Sequence, residues 1–384
     1  MKRTLLVSAF AVMALAASAQ ISEVTKVKGD GFDFIPKNLT TTGVITPYST
    51  IGVENNSSNQ TSEFTVYDAS FNVEKTFNYD PRVFKSNLVP MKASATKGSA
   101  NPPLTDVLTD SISQIVSACP GEIGVAVIIN NTDTVSVNNK SIYPMMSVFK
   151  VHQALALCND FDKKGLSLDT LVKINREKLD PKTWSPMMKD YSAPVISLTV
   201  RDLLRYTLSQ SDNNASNIMF KNMLNTAQTD SFIAKLIPHS SFQIAYTEEE
   251  MSADHDKAYS NYTSPLGAAM LMNRLFTESL ISNEKQDFIK NALKECKTGI
   301  DRIVAPLLDK EGVVIAHKTG SGCVNENGIL AAQNDVAYIC LPNKVCYTLA
   351  VFVKDFKGNE SQASQFVAHI SAVVYSLLIN TALN

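Results

Sequence analysis

The chain is organised around one stretch, Tyr143-Pro144-Met145-Met146-Ser147-Val148-Phe149-Lys150. Apolar residues recur at helical spacing from Val148 to Cys158, so the stretch predicts the start of a helix. Pro144 keeps the residue before it out of the helix, which places Ser147 at the helix N-terminus. Lys150 lies one turn further along the same face, within reach of the Ser147 hydroxyl. Burial lowers the pKa of such an amine, which can then take the hydroxyl proton, so the pattern predicts a nucleophilic serine.

Ser-x-x-Lys by itself is a weak signal. The chain has two further examples, at Ser94–Lys97 and Ser282–Lys285. Both stand in polar sequence with no apolar helix after them, so we interpret them as solvated surface. For Ser147 the alternative is an ordinary helix-capping serine. The choice between the two depends on the motifs that follow.

Length and composition indicate a globular protein of two or three domains. The 384 residues are 45% hydrophobic and 19% charged, and the net charge is −2. Because there is no basic tract, we expect no nucleic-acid partner. Six cysteines and five histidines show no metal-ligand spacing, so we expect no metal and no cofactor. Cys340 and Cys346 flank a short predicted turn, and an oxidising compartment would allow a disulfide across it.

The first 19 residues predict an export signal. Lys2 and Arg3 precede an apolar run over residues 5–16 and a small-residue cleavage site at 17–19. The apolar run is too short to span a bilayer, and no later stretch is long and apolar enough. We therefore expect cleavage after Ala19, a periplasmic location and no stable membrane insertion.

Residues 20–103 differ from the rest of the chain because they are rich in Ser, Thr and Asn. Partial alternation over residues 64–77 predicts a small β-hairpin, and Lys92–Pro103 has the composition of a linker. The extension contains no catalytic constellation, so its function stays open.

The main domain is expected over residues 104–384, and its element order predicts an α+β fold. A helix capped by Thr105 or Asp106 and a β-hairpin lead into a long, mostly helical stretch. A last helix follows four predicted strands, at 312–317, 328–333, 335–340 and 346–354. An antiparallel sheet flanked by N- and C-terminal helices, with an inserted all-helical domain, accounts for this order. The α/β part then comprises 104–142 and 298–384, and the helical part 143–297.

We expect a cleft between the α/β part and the helical part. Two downstream motifs bring polar groups to this cleft. Ser211-Asp212-Asn213 lies between two predicted helices, where it can aim a hydroxyl and an amide into the cleft. The alternative is a capped loop. Lys318-Thr319-Gly320-Ser321 follows a strand, and its cation and hydroxyl suit a carboxylate. A second Lys-Thr-Gly, at 297–299, follows a polar helix end, so we do not take it as the equivalent.

In this order, Ser-x-x-Lys, Ser-Asp-Asn and Lys-Thr-Gly are the motif set of penicillin-binding proteins and class A β-lactamases. From about residue 104 to residue 384 the chain resembles class A serine β-lactamases, and in particular the CfxA-type cephalosporinases. The resemblance implies that Ser147 is the acylated nucleophile and Lys150 its proton partner. It further implies that Ser211 passes a proton to the leaving β-lactam nitrogen and that Asn213 holds the acylamino side chain of the substrate.

The resemblance also implies substrate contacts around the Lys-Thr-Gly strand. Lys318 and Thr319 would bind the substrate carboxylate. The main-chain N–H groups of Ser147 and Ser321 would form the oxyanion hole. Trp184 matches an aromatic residue at the mouth of the cleft, although a lone tryptophan also suits a core position.

The base that releases the acyl group in this family is a glutamate on a loop before the Lys-Thr-Gly strand. Residues 246–254, Tyr-Thr-Glu-Glu-Glu-Met-Ser-Ala-Asp, match that loop. Aligning Met251 with the family's apolar position selects Glu248 and places Ser252 where Asn is usual. Asn261 likewise stands where an Asp usually holds the loop. The two glutamates that follow the selected one are interpreted as solvated.

One further position concerns the positive charge at the site. Many class A enzymes carry an Arg on the strand after Lys-Thr-Gly, where this chain has Asn327. Some relatives use an Arg in Thr-Gly-x-x-Arg instead, and residues 298–302 fit that pattern. Arg302 is thus implied to add positive charge for the substrate carboxylate. The alternative is a surface arginine.

The favoured function is hydrolysis of β-lactam antibiotics, cephalosporins in particular, through a serine acyl-enzyme that confers resistance. The expected partners are small β-lactams, and the expected state is a monomer. A D-Ala-D-Ala peptidase or transpeptidase shares all three motifs but not the glutamate loop. A non-catalytic envelope protein, with its binding function in residues 20–103, is the third possibility.

Overall fold

The computed structural model describes residues 102–381 and the backbone of three short strands before them. These are β1 (Val53–Asn55), β2 (Ser62–Tyr67) and β3 (Val73–Tyr79), which pair antiparallel in that order. The pairing of β2 with β3 confirms the predicted hairpin at 64–77. The export signal, most of the predicted linker and the Ser94–Lys97 pair lie outside the described residues.

The main domain alternates helices and strands. Its first half contains α1 (Leu104–Ser117), β4 (Glu122–Ile129), β5 (Asp133–Val137), β6 (Tyr143–Pro144), α2 (Lys150–Lys164), β7 (Leu171–Asn175), α3 (Pro186–Asp190), β8 (Val195–Thr199), α4 (Val200–Ser209) and α5 (Asn213–Asn222). Its second half contains α6 (Thr226–Ile233), β9 (Phe242–Gln243), α7 (Glu248–Ala253), β10 (Tyr262–Thr263), α8 (Pro265–Thr277), α9 (Asn283–Lys294), β11 (Val314–Ser321), β12 (Ile329–Cys340), β13 (Cys346–Lys357) and α10 (Glu360–Leu378). These elements belong to one compact unit, and β1–β3 belong to a second, smaller one.

Five antiparallel strands form the main sheet, in the order β11-β12-β13-β4-β5. Helices α1 and α10, from the two ends of the domain, pack against each other and against this sheet. On β12, Gln333 hydrogen-bonds Ser364 of α10, whereas Tyr338 stacks on Phe276 of α8. Because side chains alternate along a strand, these two positions lie on opposite faces, so helices cover both sides of the sheet. The predicted α+β fold is thus confirmed.

The strands next to the site are longer than predicted. Residues 329–333 and 335–340 belong to one continuous strand, β12, because Asn334 keeps its place in the ladder opposite Gly320. Gly328, predicted as a strand residue, lies just before this strand. Strand β11 continues past His317 to Ser321, so the Lys-Thr-Gly motif lies within the strand rather than after it.

The helical part also departs in detail from the prediction. It contains two short sheets, β7-β8 and β6-β10-β9, so the insert is not all helical. Helix α2 passes through its core, and residues 150–158 of this helix are all buried. At the start of α1, Pro103 occupies the cap position and makes no side-chain hydrogen bond, so neither Thr105 nor Asp106 caps the helix.

A disulfide joins β12 to β13 next to the turn that connects them. Cys340 and Cys346 are directly opposed in the ladder, and their Cα atoms are 4.1 Å apart. The bridge inferred from the sequence is therefore present. In the part of the chain that the structure describes, no helix has the length and apolar character needed to cross a bilayer.

Candidate active site

Ser147 lies on a tight turn between β6 and α2. A 3-10 turn spans Met146–Phe149, and α2 follows directly. Met146 has a φ of 46°, in the left-handed region that residues with a β-carbon rarely adopt. Asn334 supports the turn, because its Nδ2 donates a hydrogen bond of 2.7 Å to the carbonyl oxygen of Pro144. The turn presents Ser147 at the N-terminal end of the helix, where the sequence placed it.

Two ionisable side chains contact the Ser147 hydroxyl. Lys150 Nζ donates to Ser147 Oγ at 3.0 Å, and Oγ donates to Glu248 Oε1 at 2.8 Å. Lys150 Nζ and Glu248 Oε1 are also 2.8 Å apart. Burial lowers the pKa of Lys150 and outweighs the opposite effect of Glu248. The three residues predicted as nucleophile, proton partner and base therefore meet at one point.

Ser211 links Lys150 to the Lys-Thr-Gly strand. Lys150 Nζ donates to the carbonyl oxygen of Ser211 at 2.7 Å and lies 3.4 Å from its Oγ. Lys318 Nζ donates to the same Oγ at 2.9 Å. Lys318 is fully buried, which lowers its pKa to about 7. Asn213 completes the group, because its Oδ1 accepts from Lys150 Nζ at 2.6 Å.

Asp212, between the two predicted site residues, has a structural task that the sequence did not reveal. Its buried carboxylate accepts from the main-chain N–H groups of Ala215 and Met187, both at 2.8 Å, and from the Ser185 hydroxyl at 2.9 Å. It thereby caps α5 and holds the Ser-Asp-Asn turn, in which Ser211 has a φ of 59°. Burial raises the pKa of Asp212 despite these hydrogen bonds.

Of the three consecutive glutamates, Glu248 is the one that faces the nucleophile. Glu250 forms a capping box with Thr247 at the start of α7. Glu249 is exposed, and its carboxylate lies 3.5 Å from Lys221 Nζ. The arrangement agrees with the register chosen from the apolar residue of the loop, which is buried in the structure.

Asn261 holds this loop in place. Its Oδ1 accepts from the main-chain N–H groups of Ala245 and Tyr246, at 2.7 and 2.8 Å, and its Nδ2 donates to the Tyr246 carbonyl oxygen at 2.7 Å. Asn261 thus takes over the loop-holding task of the family's usual Asp, with a donor that an ionised Asp lacks. Ser252, where Asn is usual, is exposed.

Behind β11, the Lys-Thr-Gly strand is supported by two side chains from the segment 298–302. Thr298 Oγ1 lies 2.5 Å from Thr319 Oγ1. The Lys-Thr-Gly at 297–299 therefore contacts the Lys-Thr-Gly of β11. Sequence reasoning had no signal for this contact. Arg302 is buried, and its guanidinium donates to the carbonyl oxygens of Asn334 at 2.7 Å and Gly320 at 3.2 Å and to the Ser321 hydroxyl. The surface alternative for Arg302 is therefore wrong.

Gly320 lets the strand approach the nucleophile turn. A β-carbon at this position would stand 2.4 Å from the Met145 carbonyl oxygen and 3.3 Å from the Ser147 nitrogen. Only glycine permits this spacing without a shift of the backbone. The close approach brings the Lys-Thr-Gly strand at Gly320 against the main chain of the nucleophile turn.

Trp184 and Asn327 are both on the surface. Trp184 is 45% exposed, so the core alternative is wrong, and its Nε1 donates to the Gln210 carbonyl oxygen at 2.8 Å. Its own carbonyl oxygen accepts from Asn213 N at 3.0 Å, which places it beside the Ser-Asp-Asn turn. Asn327 lies in the exposed turn before β12.

Our interpretation of the Ser282–Lys285 pair as solvated surface is wrong. Lys285 is buried and its Nζ lies 2.8 Å from Asp162 Oδ1, while Ser282 stands at the start of α9. This Ser-x-x-Lys pair is therefore part of the packing of α9 against α2. Over residues 102–381, the His, Cys, Asp and Glu side chains form no group of three that is placed to hold a metal ion.

Comparison with known proteins agrees with this geometry. A model of the beta-lactamase enzyme family matches residues 107–378. A β-lactamase of Phocaeicola vulgatus is 87% identical over 289 residues, which are 75% of this chain and 90% of the relative. The crystal structure of the TLA-3 extended-spectrum β-lactamase is 34% identical, with a TM-score of 0.69, and the match covers 72% of this chain and 100% of that one. A class A representative from Bacteroides cellulosilyticus is 29% identical, again with a TM-score of 0.69, over 73% of this chain and 100% of that one.

The chain therefore belongs to the beta-lactamase enzyme family, as a class A serine β-lactamase. It is a hydrolase that opens the cyclic amide of β-lactam antibiotics, an activity that confers resistance. This assignment sets aside the peptidase and the non-catalytic envelope protein that the sequence had left open.

Proposed function

We propose that hydrolysis proceeds through an acyl-enzyme on Ser147. The observation that carries the proposal is the pair of contacts at Ser147 Oγ, 3.0 Å to Lys150 Nζ and 2.8 Å to Glu248 Oε1. A serine hydroxyl attacks only when a neighbour takes its proton. Lys150, whose pKa is lowered by burial, takes this proton in its neutral form as Oγ attacks the β-lactam carbonyl carbon.

In this proposal the proton then reaches the leaving nitrogen through Ser211. The Ser211 hydroxyl lies between Lys150 Nζ, at 3.4 Å, and Lys318 Nζ, at 2.9 Å. It gives its proton to the β-lactam nitrogen as the amide bond breaks and recovers one from Lys150. Such a relay avoids the expulsion of an unprotonated amide nitrogen.

Substrate binding is assigned to the two sides of the cleft. Lys318 and Thr319 bind the substrate carboxylate, and Arg302 adds positive charge from behind the strand. The N–H groups of Ser147 and Ser321 are assigned to stabilise the oxyanion, and the close approach of the neighbouring Gly320 to the Ser147 main chain supports this. On the opposite side, the Asn213 amide holds the acylamino side chain, and the exposed Trp184 forms the mouth.

Release of the acyl group is assigned to Glu248. Its carboxylate stands at hydrogen-bond distance from Ser147 Oγ, next to the carbonyl carbon of an acyl-enzyme. A carboxylate there takes a proton from the attacking water, and the ester bond to Ser147 then breaks. Ser252 has no side-chain amide that could hold this water. We therefore assign the positioning of the water to Glu248 itself.

The substrate preference and the cellular location extend the proposal. We assign cephalosporins as preferred substrates because the chain resembles CfxA-type enzymes and because the similar TLA-3 is named an extended-spectrum β-lactamase. Export follows from the predicted signal at residues 1–19. A monomer fits the site, because all of its proposed residues come from one chain.

The experiment that tests the acyl-enzyme compares the two described Ser-x-x-Lys motifs. Ser147→Ala should show neither turnover of a chromogenic cephalosporin nor a mass increase in the intact protein. Ser282→Ala, at the start of α9, should keep turnover, and it should accumulate the adduct when it is combined with Glu248→Gln. A covalent adduct on Ser147→Ala, or its absence on a Glu248→Gln protein, would refute the assignment.

A further inference from the structure

Tyr259 and Asp355 form a hydrogen bond between the loop that carries Glu248 and the main sheet. Tyr259 lies in a 3-10 segment, His255–Ser260, that follows α7. Asp355 lies near the end of β13. The Tyr259 hydroxyl donates to Asp355 Oδ1 at 2.7 Å, although 96 residues separate the two in sequence. The contact therefore joins the helical part of the domain to the α/β part.

Asp355 is a rigid anchor for this contact. Its φ is 52°, in the left-handed region that residues with a β-carbon rarely adopt, and such a backbone persists only where its surroundings fix it. The main chain before β4 supplies these surroundings. Lys357 N donates to the Pro120 carbonyl oxygen at 2.9 Å. A β-carbon on Gly121 would stand 2.8 Å from Phe356 Cα and 3.2 Å from the Asp355 carbonyl oxygen, so the two segments are in close contact.

The loop on the other side of the contact carries Glu248. The 3-10 segment packs against α7, and Glu248 is the first residue of that helix. The next main-chain N–H, that of Glu249, donates to Asn217 Oδ1 of α5 at 3.2 Å. The loop is thus attached to the helical part near its start and, through Tyr259, to the sheet near its end. We infer that the position of the Glu248 carboxylate depends on both attachments.

The hydrogen bond is suited to adjusting the loop without deciding the fold. Partial burial and the hydrogen bond to Asp355 raise the pKa of Tyr259, so its hydroxyl remains a donor at neutral pH. The Tyr259 side chain is 40% exposed. Loss of an exposed contact changes the free energy of unfolding little. Removal of this hydroxyl should therefore act on the loop and leave the domain folded.

We propose that Tyr259 is a positioning residue for release of the acyl group. Its hydrogen bond to Asp355 holds the loop where Glu248 reaches the water next to the acyl ester. The inference rests on the proposed function, in which Glu248 is the base for release. Formation of the acyl-enzyme is assigned to Lys150 and Ser211, which are not on this loop, and should change little when the hydrogen bond is lost.

The experiment measures formation and release of the cephalosporin adduct separately, by rapid mixing, acid quenching and intact-mass measurement. Tyr259→Phe removes only the hydroxyl. It should slow release by about three- to tenfold and change formation by less than about twofold. Tyr206→Phe is the matched control, because the Tyr206 hydroxyl donates to the exposed Asp190 at 2.6 Å, away from the Glu248 loop. This control should release the acyl group at the unmutated rate.

Two substitutions of Asp355 test the contact from the other side. Asp355→Asn keeps an acceptor oxygen and tolerates the left-handed backbone, so release should keep its rate. Asp355→Gly also fits the backbone but removes the acceptor, and it should slow release as much as Tyr259→Phe does. A purely structural role of Asp355 would leave release unchanged in both variants.

A double variant decides whether Tyr259 acts through Glu248. In Glu248→Gln the base is already missing, so the addition of Tyr259→Phe should not slow release further. The proposal is overturned if Tyr259→Phe releases the acyl group as fast as the unmutated protein, or if it slows release by the same factor in both backgrounds. A failure of the proposed function looks different, because Glu248→Gln alone would then release the acyl group at the unmutated rate.

Discussion

The main-chain N–H of Met145 donates a hydrogen bond of 2.8 Å to the carbonyl oxygen of Asn261. Asn261 is also the residue whose side chain holds the loop before Glu248. One buried residue therefore braces both the turn that carries the nucleophile and the loop that carries the proposed base. This explains how two segments that are a hundred residues apart in sequence meet at Ser147 Oγ.

Asn261→Asp should destabilise the protein although Asp is usual in the family. A carboxylate cannot donate to the Tyr246 carbonyl oxygen, which would be left unpaired and next to a negative charge. We expect a loss of about 1–3 kcal/mol in the free energy of unfolding, measured by denaturant titration. Asn222→Asp, an exposed amide that also donates to a carbonyl oxygen, should cost less than about 1 kcal/mol. Equal losses in the two variants would contradict this account of Asn261.

Glu248→Gln should slow release of the acyl group by about 10²–10⁴-fold, because an amide keeps the size but cannot take a proton from water. The covalent adduct with a cephalosporin should then accumulate in the intact-mass spectrum. Glu249→Gln loses only an exposed ion pair, and Glu250→Gln keeps a side chain that can complete the capping box. Both controls should turn over nearly as the unmutated protein does. An adduct on one of these controls, and none on Glu248→Gln, would mean that the mutated residue of that control is the base.

The buried Lys318 should limit activity on the alkaline side. Its pKa of about 7 means that the folded protein loses this positive charge as the pH rises through 7. Because the ammonium form binds the substrate carboxylate, kcat/KM should fall by about tenfold per pH unit above that value. Lys318→Arg keeps its charge, so its profile should lack this decline. The same decline in Lys318→Arg would assign it to another group, such as Lys150.

Arg302→Ala should raise KM and also lower stability. The change removes positive charge beside Ser321 and leaves the carbonyl oxygens of Gly320 and Asn334 without their donor. Each unpaired buried group costs about 1–3 kcal/mol, measurable as a lower Tm. Arg205→Ala, which removes an exposed arginine paired with Glu295, should change neither quantity appreciably. If KM were unchanged in Arg302→Ala, Arg302 would only support the strand.

Much of the site was readable from the sequence because its chemistry depends on local spacing. Ser147 and Lys150 are one helical turn apart, so their contact follows from the helix itself. Lys318, Thr319 and Gly320 are consecutive in one strand. Glu248 was selected through the resemblance to class A enzymes, with the apolar Met251 setting the register of the loop. The α+β order of elements followed from hydrophobic periodicity, which reports local structure.

The tertiary structure alone decided what lies behind these residues. Thr298 meets Thr319, and Asn334 supports the turn before Ser147, both over separations that no local pattern reports. The same holds for Lys285, which looked like surface but is buried against α2. Sequence periodicity records which face of an element is apolar, whereas the partner of a buried polar group depends on which elements pack together, and that is settled only when the whole chain folds.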